Sequence, residues 1–426
     1  TGPGMAPDGT RKEALFPYSQ PDQKMMAVRP FDNTTPPHIV TLVMAAATAA
    51  LASNLFLPSL PGMAAYFDAD YAIVQLTVSG YLAATAVLQL GIGPASDRFG
   101  RRPVMLASFA VFTVATLAAT FAPTIELLLF CRVLQAFAAS GMVLSRAIVR
   151  DTVETNEAAS RIGYITMGMT LAPMIGPFVG GLLDELYGWQ ATFHLLFAFG
   201  ILSFLVVYFD LGETNARRSS SMAAQFRTYP ELFRSRRFWG YTATASFNSG
   251  AFFAFLGGGP YVATELLGLS PSAYGMYFAC TSVGYALGNF LTGRYSQAVG
   301  INRMMLTGTL ICVAGMILSV LLFWAGFYHA LSLFGPTMLL GLGNGMTLPT
   351  ATTGMVSVRP HLAGSASGLG GALQIGGGAA LSVIGGALLT PQSGPYPLIF
   401  VMLFSSLCAV MAALYVIHVA SKAGEI

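Results

Sequence analysis

Arg132 is the side chain with the most pointed chemistry in this sequence. It opens the run Arg132-Val-Leu-Gln135 inside an apolar stretch, about seven residues from the stretch's end, or roughly 10 Å at the helical rise of 1.5 Å per residue. Arg132 and Gln135 are three apart and share a helix face. A guanidinium within an apolar span is costly and marks a binding or coupling site by default; the plain alternative is a side chain that snorkels to the interface. Nine further residues inside apolar stretches can line a cavity with this pair: Asn54, Phe56, Tyr81, Gln89, His194, Asn248, Tyr261, Asn344 and Gln374. An amide in lipid needs a partner or a cavity, and aromatic walls suit amphiphilic ligands. His194 is the member of this set whose type can carry a proton near neutral pH. For each one taken singly, ordinary helix packing is the competing explanation.

Other chemistries lack their residues. Gly341-Leu-Gly-Asn-Gly345 and Gly376-Gly-Gly378 follow no strand, and no GxxxxGK is present, so close helix packing explains them better than phosphate binding. Cys131, Cys280, Cys312 and Cys408 sit singly in apolar runs without a CxxC pair, the pattern of small buried side chains rather than of disulfides or metal ligands. No catalytic cluster, metal site or cofactor is expected.

The elements that must position these residues follow from composition. The chain has 426 residues, of which 54% are hydrophobic and 9% charged, against roughly 25% charged in a soluble domain. Mean hydropathy is +0.65. Such a chain cannot cover a water-facing surface, so its solvent is lipid. Soluble enzyme, nucleic-acid binder and disordered scaffold are excluded for the chain as a whole. Twelve apolar stretches of about the ~20 residues a spanning helix needs run over 38–60, 72–95, 103–122, 125–147, 160–184, 190–210, 238–262, 271–294, 304–325, 328–353, 361–389 and 396–418. A membrane barrel would alternate polar and apolar residues instead.

Of the 21 Lys and Arg, all but Arg132 fall in the tails, in the even-numbered connections between stretches or at the stretch margins that border those connections. Positive charge stays in the cytoplasm, which predicts cytoplasmic termini and supports the number twelve. The expected layout is a disordered tail at 1–37, a six-helix bundle at 38–210, a basic linker at 211–237, a second six-helix bundle at 238–418 and a tail at 419–426. A spacing of 200 relates the halves: Gly93, Ser96, Gly100, Met105 and Leu106 match Gly293, Ser296, Gly300, Met305 and Leu306, and Gly168 and Gly176 match Gly368 and Gly376. Repeated halves around a midplane site are a common transporter plan.

Three motifs carry a family resemblance. Gly93-Pro-Ala-Ser-Asp97-Arg98-Phe-Gly100-Arg101-Arg102 resembles the loop signature of the major facilitator superfamily, and Arg132-Val-Leu-Gln135 resembles its RxxQG signature, with Ala136 at the glycine. Gly168, Pro173, Gly176, Pro177, Gly180 and Gly181 resemble its antiporter motif. Small residues at this spacing permit close helix contact. With Asn54-Leu-Phe56-Leu-Pro58, Arg146–Asp151 and Gly188–Phe193, the chain is similar to the bicyclomycin/chloramphenicol-resistance (Bcr/CflA) branch of drug:proton antiporters, over about 38–418. The resemblance implies an all-α, twelve-helix major facilitator fold, a cytoplasmic gate around Asp97, and export of drug-like molecules across the bacterial inner membrane in exchange for protons. An importer or facilitator of a metabolite or siderophore is the alternative. That branch commonly has Asp where this chain has Asn54. Without an acid in mid-membrane, Asn54 can accept a hydrogen bond from Arg132 but cannot carry a proton. The expected substrate is therefore a neutral, zwitterionic or anionic amphiphile, handled by a monomer.

Overall fold

Among the described residues twelve long helices follow one another: α1 (Ile39–Phe67), α2 (Tyr71–Phe99), α3 (Arg101–Thr120), α4 (Ile125–Thr152), α5 (Thr155–Tyr187), α6 (Gln190–Asp210), α7 (Arg236–Tyr261), α8 (Pro271–Val299), α9 (Ile301–Trp324), α10 (Ala330–Ser357), α11 (Ala363–Ala387) and α12 (Tyr396–Lys422). This computed structural model describes residues 32–153, 155–215, 229–359, 362–390 and 392–422, and no strand occurs among them. The tail expected at 1–37 falls outside the described residues up to position 31, as do Arg217, Arg218 and Arg227 of the linker and residues 423–426.

Eight of the twelve, α1–α4, α6, α9, α11 and α12, are long and apolar enough to cross a membrane by length and composition. Two of the other four, α7 and α10, carry polar residues that face protein. Thr242, Thr244, Asn248 and Ser249 of α7 are buried, as are Asn344, Thr347 and Thr350 of α10.

Two helices bend where the site will lie. In α1 the regular helix stops at Asn54 and resumes at Leu60 after a tight turn at Leu57–Ser59. Pro58 has no N–H to give the carbonyl of Asn54, so the ladder breaks there. In α4 the helix tightens over Ala136–Ala138, directly after Gln135.

The 200-residue repeat is structural. Gly100 and Gly300 both take positive φ, 106° and 86°, ending α2 and α8 with N–H bonds to Ser96 and Ser296. Only glycine adopts this backbone without strain. The halves meet through the related pairs α2–α11 and α5–α8.

The core divides by depth. We call the end carrying Ile39 and Lys422 the near end. At the far end a single apolar cluster crosses both halves, joining Phe56, Val78 and Phe193 to Phe255, Phe278 and Phe334. At the near end each half has its own cluster, one around Phe109 and Ile148, the other around Phe238 and Met355. The two halves thus share one core at the far end and part toward the near end, where Leu90 of α2 still packs against the second cluster.

Candidate substrate and coupling site

The α1 break puts Phe56 against the middle of α4. Arg132 is fully buried. Its guanidinium carbon lies 4.2 Å from the Phe56 ring centroid and 4.6 Å from that of Tyr81, so the cation is held between two aromatic faces. Its Nε donates to the carbonyl of Thr77 at 3.0 Å and an Nη1 donates to Oε1 of Gln135. Gln135 is fixed in turn, its Nε2 donating to Thr116 Oγ1 at 2.9 Å, and the Tyr81 hydroxyl donates to the carbonyl of Ala49 at 3.0 Å. The geometry is that of a planar guanidinium used for stacking and a directed fork, which a lysine cannot reproduce.

Among the described residues no carboxylate pairs with this guanidinium, its Nη2 has no partner, and neither does Oδ1 of buried Asn54. Asn54 spends its amide donor on Ala50 O and Ser53 Oγ, each at 2.8 Å, so the expected bond from Arg132 is not made in this structure. Ring stacking and hydrogen bonds offset a desolvation cost on the order of several kcal/mol without neutralising the charge. What remains is an uncompensated buried cation whose unmet Nη2 donor an acceptor-bearing or anionic ligand would satisfy, and an unmet Asn54 oxygen that needs a donor.

The other expected cavity residues separate into groups. Gln89 on α2 is buried and Gln374 on α11 half-buried, both on the helices of one inter-half contact. Asn248 and Asn344 pair inside the second half, Nδ2 to Oδ1 at 3.1 Å, so much of their burial cost is met internally. Tyr261 lies at the far-end rim, its ring 4.9 Å from that of Tyr71. His194 is not brought to the Arg132 group. It is exposed on α6, edge-on to Phe121 with centroids 6.4 Å apart. Its neighbour Phe193 turns inward to Phe56 at 5.9 Å, and a residue one step along a helix points about 100° away.

The motif after α2 closes on its own half. Asp97 and Asp151 both pair with Arg101, whose N–H donates to Glu213 at 2.9 Å. Arg102 donates to the carbonyl of Tyr208 at 2.9 Å, and Arg98 lies over Phe99. Asp97 thus bonds Arg101 rather than Arg294 or Arg303 across the bundle. Gly93 and Gly368 face open space, in keeping with the parted near end.

The antiporter motif sits where α5 is wedged between α1 and α8. A Cβ on Gly180 would strike the carbonyl of Leu55, and one on Gly181 the carbonyl of Pro271. Pro173 accepts a hydrogen bond from Ser282 at 3.3 Å, and Gly168 and Gly176 face Val43 and Leu55 of α1. Pro177 abuts Gly275 of α8.

Sequence reasoning missed the far-end ties. Gln75 Nε2 donates to Ser382 O and Oγ at 2.9 and 2.6 Å, the Tyr71 hydroxyl donates to Gly257 O at 2.7 Å, and Ser272 N–H donates to Glu185 at 3.0 Å. Each joins one half to the other. Gln75 stands in a helix start with no motif around it, and only its partner, 307 positions away, reveals its role.

Residues 42–380 and 259–425 match the family model described as Major Facilitator Superfamily. The chain belongs to the major facilitator superfamily. It is accordingly a multi-pass membrane transporter and not an enzyme. Among relatives in the superfamily it is 31% identical over 349 residues to "Uncharacterized MFS-type transporter YdgK" of Bacillus subtilis, covering 80% of this chain and 84% of that protein. It is 28% identical to "Multidrug resistance protein D" of Escherichia coli, covering 88% and 94%. With the "Bicyclomycin resistance protein homolog" of Haemophilus influenzae identity is 27%, covering 85% and 90%. The fold is similar to that of a solved structure of a bacterial homolog to the human lysosomal transporter Spinster, described as inward-facing and occupied, with TM-score 0.69, 17% identity, and 90% and 96% of the two chains covered.

Proposed function

We propose that this transporter exports small drug-like organic molecules across the bacterial inner membrane by alternating access, in exchange for protons, and works as a monomer. The near end, with both termini and the basic connections, faces the cytoplasm. The far end is then the sealed outer gate, and the arrangement is inward-facing. The names of the relatives, which speak of multidrug and bicyclomycin resistance, support a drug substrate.

The observation that carries the substrate class is the uncompensated Arg132 between Phe56 and Tyr81. Permanent lipophilic cations meet like charge there in a low dielectric. Neutral, zwitterionic or anionic amphiphiles that carry an acceptor find a free Nη2 donor there. The test is a resistance profile in a pump-deficient host. Expression is expected to protect against a phenicol antibiotic more than against tetraphenylphosphonium, and the reverse order rejects this reading of the site.

Asn54 favours a second reading. With an amide where the resembled branch has an acid, and no carboxylate on Arg132, the chain has the makings of a facilitator. His194, exposed away from the cluster, does not replace the missing acid there. Transport indifferent to an imposed proton gradient would establish the facilitator.

A further inference from the structure

The far-end rim holds a cavity of about 360 Å³ that the transport reading does not use, within the size range of small-molecule pockets. Both halves build it. Asp68 and Asp70 come from the α1–α2 connection, Tyr71 from the start of α2, Tyr261 from the end of α7 and Glu265 from the turn just beyond it. All three carboxylates are exposed, and none has an ion-pair partner among the described residues. The far-side connections of the sequence contain no Lys or Arg, so nothing nearby neutralises this charge.

A second observation points to a ligand. Tyr261 is only 8% exposed, yet its side chain lines the cavity and its hydroxyl has no hydrogen-bond partner among the described residues. The Tyr71 hydroxyl, by contrast, is committed to Gly257, which leaves the tilted Tyr71–Tyr261 pair presenting ring surface and one free phenol oxygen. Directly after Tyr261 the helix widens into a single π turn, Val262–Leu266, that carries Glu265. Such turns recur at functional sites. Among the described residues no three His, Cys, Asp or Glu side chains converge closely enough to hold a metal ion. The acceptors are instead spread around a roomy, aromatic-walled space, which suits a cation with several N–H donors and an apolar body.

We propose that this cavity binds a small organic ammonium ion that bridges the two halves at the outer rim. The test is calorimetric titration of the full-length protein with n-butylammonium chloride, using sodium chloride and tetraethylammonium chloride at equal ionic strength as references. Saturable binding of butylammonium is expected. Asp70→Asn and Glu265→Gln, one from each half, are each expected to weaken it roughly tenfold or more, as for a lost charge-assisted hydrogen bond, and Tyr261→Phe by roughly three- to tenfold. Tetraethylammonium, lacking N–H donors, is expected to bind at least tenfold more weakly. Melting temperatures matched to wild type keep the variants comparable. Equal affinity in either carboxylate variant overturns the bridging site, since it places the ligand elsewhere. Heats that sodium reproduces overturn it too, because they report only a diffuse ion atmosphere.

Discussion

Removing two oxygens from the far-end seal is expected to open it. In Tyr71→Phe the hydroxyl that donates to Gly257 O at 2.7 Å is lost. In Ser382→Ala the hydroxyl that accepts from Gln75 at 2.6 Å is lost. Neither change leaves a new polar group stranded, because Gln75 still bonds the Ser382 carbonyl at 2.9 Å and the Gly257 carbonyl lies within the turns of α7. A buried hydrogen bond of this type contributes about 0.5–1.5 kcal/mol net. Together the two are worth about 1–3 kcal/mol, roughly a 5- to 150-fold fall in the ratio of closed to open far end. The assay is pulsed electron resonance between spin labels at Tyr66 and Leu388, exposed positions on opposite halves, in a background with Cys131, Cys280, Cys312 and Cys408 replaced. The double variant should gain a longer-distance population that wild type lacks, with each single variant between them. A double-variant distribution identical to wild type would refute the assignment of these bonds to the seal.

Three further outcomes are expected. Arg132→Lys keeps the charge but loses the flat stack on Phe56 and Tyr81 and one arm of the fork, so the protein should fold with transport reduced roughly tenfold or more, measured as initial flux at equal membrane expression. Asp97→Ala should change thermal stability by less than about 1 kcal/mol, because Asp97 is 40% exposed and Asp151 still holds Arg101; transport should nevertheless fall, because the near-end gate loses a partner, and a wild-type rate counts against gating. Asn54→Asp should fold and make transport newly dependent on pH, since a buried carboxylate at the α1 break titrates where the amide cannot; superimposable pH–flux curves for the two proteins would contradict this.

The twelve helices were legible because their apolar runs and arginine-bearing connections repeat so regularly. Gly100 and Gly300 were legible as a pair because a backbone position that only glycine can occupy is written directly in the sequence. Arg132 and Gln135 were legible through their rarity in a span and their spacing of three. Phe56 and Tyr81 were named as wall residues, but their role as the two faces of one cation sandwich depends on the α1 break and on tertiary packing, which no local pattern encodes. His194 was the reverse case. Its type suggested a proton carrier, while the helix face it occupies points it outward. The linker's part was hidden for another reason: Glu213 and Asn215 bond Arg101 and the Asp97 carbonyl from far along the chain, in a segment whose composition signals only solvent exposure. The amide pair Asn248–Asn344 shows the same limit, since each residue read alone looks like a cavity group, while in the fold Asn248 donates to Asn344 and Asn344 to the carbonyl of Leu340.

Substrate flux in proteoliposomes tests the central claim most directly. The purified protein is reconstituted, a proton gradient is imposed in either direction, and uptake of radiolabelled chloramphenicol is followed for wild type and Arg132→Met. Uptake against the substrate gradient, reversing when the proton gradient reverses and absent in Arg132→Met, is the predicted result. Equilibration to equal concentrations whatever the proton gradient, with the Arg132→Met protein as fast as wild type, would contradict both the antiport and the site.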